Sequence, residues 1–313
     1  MRMVAILLIG IVSATRSWAG EVAPPVTALA IAPDAHVAVA GSQAGLQLYS
    51  WPDLQPTRKL ATQLEHINDL AFSPDGTLLA VGGGVPSESG TLEIYRWPNG
   101  ELLRSTRLNN DLICAVAWRA DSAVVATASA DRQVQLSDVT SGTILHVLAG
   151  HSRGVLAVAF LGDRPEIATA GIDESLRVWD GQTGKLQRTL PNHIGAVQDL
   201  ALRPATGTAP PMLSSIGADR TVRLWQPTLG RLMRFVRLKS TPQAVAWNSD
   251  GTALIAVCSD GCVRVIEPET VTVVQELPAI DGIAYSLAVG ADGSVLVGGR
   301  NGQLRRVALQ TKD

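Results

Sequence analysis

The sequence predicts an all-β fold made of seven repeats, and three observations carry that expectation. A short phrase recurs at Leu29-Ala30-Ile31, Leu70-Ala71-Phe72, Val116-Ala117-Trp118, Val158-Ala159-Phe160, Leu200-Ala201-Leu202, Val245-Ala246-Trp247 and Leu287-Ala288-Val289, with the alanines 41, 46, 42, 42, 45 and 42 residues apart. A second landmark further along each unit (Tyr49, Tyr95, Ser137, Trp179, Trp225, Ile266, Val307) keeps the same period. No window holds a 3.6-residue period over three turns, whereas short apolar stretches bounded by turns such as Pro74-Asp75-Gly76 and Ser249-Asp250-Gly251 recur throughout. In such turns glycine supplies a positive φ and aspartate bonds its own backbone.

The first nineteen residues stand apart from the repeats. Met1-Arg2-Met3 is short and basic, Val4 to Val12 is an unbroken apolar run, and Ser17-Trp18-Ala19 puts small residues three and one positions before a cut. Those are the parts of a secretory leader, and the run is too short to span a bilayer. A strand on a sheet edge would alternate apolar and polar residues, which this segment does not. The expected organisation is a signal peptide over 1–19 and one seven-unit domain over 20–313. No later stretch reaches the 18 apolar residues of a membrane helix, so a soluble periplasmic or secreted chain without stable membrane insertion is expected.

Each unit reads strand, turn, strand, turn, strand, loop, strand. Unit four places strands at Val155 to Phe160, Glu166 to Ala170, Ser175 to Trp179 and Lys185 to Leu190. Unit seven ends near Leu309, leaving little chain for a fourth strand, and Pro24-Pro25 before unit one is poor ladder material. Either the last unit is one strand short or Val4 to Val12 belongs to the fold.

Of the chain's 313 residues, 17% are charged, with a formal net charge of −2. That balance supplies no broad positive field for nucleic acid. Three cysteines cannot build a disulfide framework, and no zinc, haem-attachment or metalloprotease motif is present, so no cofactor or metal is expected. Cys258 and Cys262 flank a tight turn where facing positions on a hairpin lie within disulfide range, and in an exported chain they are a candidate pair.

Gly150-His151 followed by Asp173-Glu174-Ser175-Leu176-Arg177-Val178-Trp179-Asp180 resembles the WD repeat of β-propeller blades, and His193 followed by Asp219-Arg220-Thr221-Val222-Arg223-Leu224-Trp225 is similar. The resemblance implies a seven-bladed β-propeller. It also implies a hydrogen-bonded tetrad in two blades: His151, Thr169, Asp173 and Trp179 in unit four, and His193, Ser215, Asp219 and Trp225 in unit five. Histidine, serine and aspartate also suggest a catalytic triad, but the constellation occurs twice, one blade apart, where an enzyme needs one active site. Other units depart from the pattern. Unit three has Thr127 and Asp131 but Ser137 in the tryptophan place and no histidine; unit six has Asp260 with Ala256 and Ile266; unit one has Tyr49; unit two has His66 and Tyr95. These blades are expected to hold by burial alone.

In the family, the loops between strands two and three and those joining neighbouring blades form one rim that binds partners. Candidates there are Asn68, Arg132, Arg153, Glu174, Arg220 and Arg300, with Arg132, Arg153 and Arg220 ranked first, and an insertion over Gly82 to Gly90. A second insertion, Pro204 to Met212, lies on the opposite rim. The expected function is a non-catalytic scaffold, an exported bacterial monomer binding a protein or peptide, with an envelope or cytochrome-type complex as the partner that the resemblance suggests. The alternative is a propeller enzyme, a hydrolase or a quinone-dependent dehydrogenase, with its site in the central channel; the innermost phrases of Ala, Leu, Val and Phe argue against it. Intact mass of the protein purified from its native host is expected to begin at Gly20; a mass that begins at Met1 would overturn the leader reading.

Overall fold

The structure, a computed structural model, describes residues 22–204 and 209–309. The leader segment 1–19 lies outside the described residues. The rest forms seven small antiparallel sheets, each wound in chain order. Blade one holds β1 (Ala28–Ile31), β2 (Val37–Ser42), β3 (Gly45–Ser50) and β4 (Pro56–Leu60); blade two holds β5 (His66–Phe72), β6 (Leu78–Val85), β7 (Ser89–Arg96) and β8 (Glu101–Asn109). Blade three holds β9 (Ile113–Trp118), β10 (Val124–Ser129), β11 (Gln133–Asp138) and β12 (Ile144–Ala149); blade four holds β13 (Val155–Phe160), β14 (Glu166–Gly171), β15 (Leu176–Asp180) and β16 (Leu186–Leu190). Blade five holds β17 (Val197–Leu202), β18 (Leu213–Gly217), β19 (Thr221–Gln226) and β20 (Arg231–Arg237); blade six holds β21 (Pro242–Trp247), β22 (Leu254–Cys258), β23 (Cys262–Glu267) and β24 (Thr272–Pro278). Blade seven has three strands among the described residues, β25 (Ala284–Val289), β26 (Val295–Gly299) and β27 (Leu304–Val307).

The first strands form the inner wall. Each packs on the first strands of both neighbouring blades, and β1 packs on both β5 and β25, which closes the ring. The Val26 N–H donates to the Gly299 carbonyl at 3.0 Å, and the Ser286 hydroxyl donates to the Val26 carbonyl at 3.0 Å. Second strands are buried on both faces: every residue of β10, β18, β22 and β26 is buried, as the runs of Val, Ala, Leu and Ile in them require. Outer strands are mostly exposed, as in β4 and β16.

Apolar burial sits between blades. Seven clusters of buried side chains occupy the seven interfaces. Trp179 of blade four, for instance, packs with Val124, Leu136 and Leu148 of blade three, and Trp225 of blade five packs with Leu176, Val178 and Leu190 of blade four.

Blades three and six, which carry Ser137 and Ile266 in the tryptophan place, place a tryptophan at the end of the first strand instead. Trp118 Nε1 donates back to the Ala71 carbonyl of blade two at 2.9 Å, and Trp247 Nε1 to the Ala201 carbonyl of blade five at 3.1 Å. The same two seams carry a carboxyl clamp. Asp69 accepts the Leu70 and Val116 N–H groups, both at 2.8 Å, and Asp199 accepts those of Leu200 and Val245, both at 2.8 Å. A bulge in each first strand, between Ile67 and Asp69 and between Val197 and Asp199, aims the carboxyl along the wall. Asp69 and Asp199 therefore line the central channel, which corrects the expectation of an inner wall without acids. Both are half-buried in the narrow wall, and burial raises both to about 7 against the pull of the N–H groups they accept.

Outer strands strap neighbouring blades. Arg58 of β4 donates to the Pro98 carbonyl of blade two at 2.7 Å, and Arg104 of β8 to the Ser141 and Thr140 carbonyls of blade three at 2.9 and 2.8 Å. Arg188 of β16 packs against Gly230, and Arg234 of β20 meets Glu269 at 3.0 Å. His146 occupies this place in blade three, against Gly184.

Unfolded aspartate titrates near pH 4. Between about pH 4 and 7 the unfolded chain has therefore lost the Asp199 proton while the folded chain keeps it, so this residue's contribution to stability falls as pH rises through that window. Asp199→Asn removes that dependence. The melting temperature of the variant relative to wild type is expected to rise between pH 4.5 and 7.5; a constant difference in melts at the two pH values would refute the assignment.

Candidate interaction rim and the networks beneath it

The turns between strands two and three and the segments joining successive blades share one rim, and polar networks lie directly under it. The structure brings the four unit-four residues together: Trp179 Nε1 donates to Thr169 Oγ1 at 2.8 Å, Thr169 Oγ1 lies 2.8 Å from His151 Nε2, and His151 Nδ1 lies 2.9 Å from Asp173 Oδ1. Unit five repeats it, with Trp225 Nε1 to Ser215 Oγ at 2.8 Å, Ser215 Oγ to His193 Nε2 at 2.7 Å and His193 Nδ1 to Asp219 Oδ2 at 3.0 Å. The chain of donors assigns one tautomer: indole N–H to hydroxyl, hydroxyl to Nε2, Nδ1–H to carboxylate. Burial lowers both histidines, which keeps them neutral, as the chain demands. At Asp219 burial acts the other way, but the Thr221 hydroxyl and the Ile194 N–H hold the carboxyl down to about 2. Thr169 and Ser215 are fully buried, so neither hydroxyl lies open to a substrate.

The carboxylates extend the networks into the rim. Asp173 accepts the Ser152 N–H at 3.0 Å, and Asp219 accepts the N–H groups of Ile194 at 3.2 Å and Thr221 at 3.1 Å. Asp131 does the same in blade three, accepting Asn110 and Gln133 N–H groups at 3.0 Å each. These bonds fix the loops that hold Arg153, Arg220 and Arg132. Arg132, Glu174 and Arg220 occupy the left-handed region with φ of 76°, 67° and 64°, where Gly261 stands in blade six with φ 77°. A non-glycine residue there carries a backbone cost, and the aspartate bonds on either side offset it.

The departing blades do not rely on burial alone, contrary to the sequence expectation. In blade three Asn109 fills the histidine place, donating to Asp131 at 3.1 Å and accepting from Thr127 at 3.3 Å. In blade six the buried Arg264 spans Asp260 through both Nη atoms, at 3.0 and 2.6 Å, and also reaches Ser240 at 3.0 Å. In blade two buried Glu93 accepts from Thr62 at 2.7 Å, from the Gln63 N–H at 2.9 Å and from the Tyr95 hydroxyl at 2.5 Å. Thr62, not His66, holds the histidine place there; His66 opens β5. Glu93, Arg177, Arg223 and Arg264 all sit two residues before the third-strand landmark. Arg223 and Arg177 reach their turn aspartates at 3.2 and 3.7 Å, a recurrence the period itself could have disclosed.

Of the rim candidates, Arg132, Arg153, Glu174, Arg220 and Arg300 are exposed at these turns. Asn68 is not: the bulge in β5 turns it into the central channel, where it donates to the Ile113 carbonyl at 2.8 Å. The Gly82 to Gly90 segment is a longer hairpin, with pairing continued to Val85 and Ser89. In the opposite insertion, residues 205–208 lie outside the described residues. The candidate pair Cys258 and Cys262 is not bonded in this structure. Cys258 is buried in the core between blades five and six, while Cys262 sits half-exposed with its thiol 3.9 Å from the Asp260 carbonyl.

The central channel narrows to a cavity of about 150 Å³, to which all seven inner strands or the residues leading into them contribute, Asn68, Cys114, Gln198 and Tyr285 among them. Among the described residues no group of three or more His, Cys, Asp or Glu side chains is placed to hold a metal, and no helix is long and apolar enough to cross a membrane.

A family model of the WD domain G-beta repeat matches residues 142–180, 184–226 and 239–267, and one of the anaphase-promoting complex subunit 4 WD40 domain matches 37–119. The chain belongs to the WD-repeat β-propeller family. Periodic tryptophan protein 2 of Saccharomyces cerevisiae is 28% identical over 109 residues, which are 35% of this chain and 12% of that protein. The similarity therefore spans about an eighth of that relative's length.

Trp225→Ala removes a fully buried indole and orphans the Ser215 and His193 chain. A loss of about 3 to 5 kcal/mol is expected by urea denaturation. A loss near zero would mean that the network does not brace blade five.

Proposed function

We propose that the protein is a non-catalytic interaction scaffold that binds an acidic segment of a partner protein across the rim of blades three to five. The observation that carries the reading is Ile194, 80% exposed on the loop entering blade five, whose N–H is held by Asp219 beside the turn of Arg220. The side chains of Arg132, Arg153 and Arg220 make no hydrogen bond or ion pair among the described residues, whereas other arginines of these networks are engaged. An exposed apolar side chain on a rim that also carries three unpaired guanidinium groups suits an extended segment carrying carboxylates around an apolar anchor. Further round the rim the exposed charges turn acidic, with Glu65 and Glu88, which favours one orientation of such a segment.

The family supports a protein as the ligand. The basic, apolar and small-residue sequence of the first nineteen residues supports an extracytoplasmic location, where an envelope or cytochrome-type complex would supply the partner. Catalysis at the channel is the weaker reading, because each carboxyl oxygen of Asp69 and Asp199 is already tied to a backbone N–H of the wall.

Arg220→Glu and Ile194→Asp are each expected to weaken binding of short peptides that combine Asp or Glu with one large apolar residue by about tenfold, the loss of roughly 1.4 kcal/mol. Fluorescence polarisation measures the binding, and melting is expected to stay at the wild-type temperature. Native melting with unchanged binding would remove this rim from consideration.

A further inference from the structure

We propose that the outer edge of blade three, β12 with the groove beneath it, is a second docking site, taken by an extended segment of a partner that adds as a strand and places a large apolar side chain in the groove. The site faces outward and toward the rim opposite Arg132, so it is separate from the one proposed above.

The first support is composition. In the sheet of blade three β12 pairs with β11 alone, which leaves its outward N–H and C=O groups as an open ladder. Exposed edges are ordinarily blunted by charge or proline. Outer strands β4, β8, β16, β20 and β24 obey that rule through Pro56, Arg58 and Lys59; Glu101, Arg104 and Arg107; Arg188; Arg231, Arg234 and Arg237; and Glu276 and Pro278. Ile144-Leu145-His146-Val147-Leu148-Ala149 has neither a full charge nor a proline, and even the strap position holds His146 instead of arginine. Ile144, Leu145 and Val147 are 47, 45 and 45% exposed.

The second support is shape. Where β12 bulges opposite Leu136 and Ser137, Leu145 turns over a groove of about 550 Å³ between blades three and four. Its floor is Val124, Leu136, Phe160 and Pro165. At its mouth Arg119 is closed on Asp121 at 2.7 Å, and Asp163 and Arg164 add one charge of each sign. A balanced mouth over an apolar floor selects a neutral apolar side chain, in a volume ordinary for a ligand site.

Area decides the occupant. Three half-exposed aliphatic side chains supply only about a third of the ~800 Å² per partner that a stable globular interface buries. An added strand needs less, because its main chain completes the open ladder and only alternate side chains must find pockets.

The test is selection of random decapeptides displayed on phage against the whole protein, with the enriched sequences synthesised and measured by fluorescence polarisation. Expected are peptides with large aliphatic or aromatic residues at alternate positions, binding at least tenfold more weakly to Val147→Lys and Leu145→Lys and unchanged to Arg220→Glu. N-methylation of one alternate set of peptide amides is expected to abolish binding while methylation of the other set is tolerated. Val147→Lys and Leu145→Lys alter exposed side chains, and their melting temperatures check that both still fold. Three results would each overturn the proposal: enrichment without alternation, binding indifferent to both lysine variants, or a sedimenting dimer of the wild-type protein that Val147→Lys dissolves, which would make a second copy the occupant. Loss of binding in Arg220→Glu alone would assign the peptides to the arginine rim and leave β12 without a ligand.

Discussion

A four-stranded sheet with apolar residues on both faces cannot bury either face by itself, and everything else in this molecule follows from that constraint. Each blade lends one face to the blade before it and one to the blade after, so every apolar cluster belongs to a seam. The ring is the arrangement that leaves no face over. Closure between β1 and β25 is therefore a requirement of burial, met through Val26, Leu29, Trp51 and Leu296 together with the hydrogen bonds of Val26.

Directed bonds act on a ring already held by burial, and they are distributed unevenly. Blades four and five keep an indole, a hydroxyl, an imidazole and a carboxylate in series. Blade three substitutes an amide, blade six a guanidinium and blade two a carboxylate with a phenol. What these solutions have in common is the task. Each joins the third strand to the loop that enters the blade, and in blades three to five the aspartate at its end also fixes a turn or loop that carries an exposed arginine. Stability and display are thus one device: the buried end of the network resists disorder, and its outer end sets the position of exposed side chains on the rim.

Much of this was legible in the sequence. Two landmarks with one period place nearly every strand, as in unit four, where the strands fall within a residue of their expected bounds. The His, Ser or Thr, Asp and Trp residues of units four and five were legible because their identities form a signature. Asn109, Arg264 and Glu93 were not, because the place they fill is defined by space and donor geometry, which several residue types satisfy. Asn68 was misread, and Asp69 and Asp199 passed over, for another reason. A bulge changes which way the following side chain points, and strict alternation cannot foresee one. Trp118 and Trp247 looked like ordinary ends of first strands. Their exchange for the missing third-strand tryptophans needs the neighbouring blade to be seen.

The two seams with a carboxyl clamp and a reaching tryptophan lie between blades two and three and between blades five and six. They bound an arc of three blades, and that arc holds Arg132, Arg153, Ile194 and Arg220 as well as β12. Mechanical load placed on the arc would pass outward to those two seams, where a carboxyl of one inner strand holds a backbone N–H of the next. Such bonds resist sliding of one sheet past the next, which apolar contact alone resists weakly. Load on the arc is thus met first at two clamped seams, and the seam that closes the ring between blades seven and one lies furthest from it.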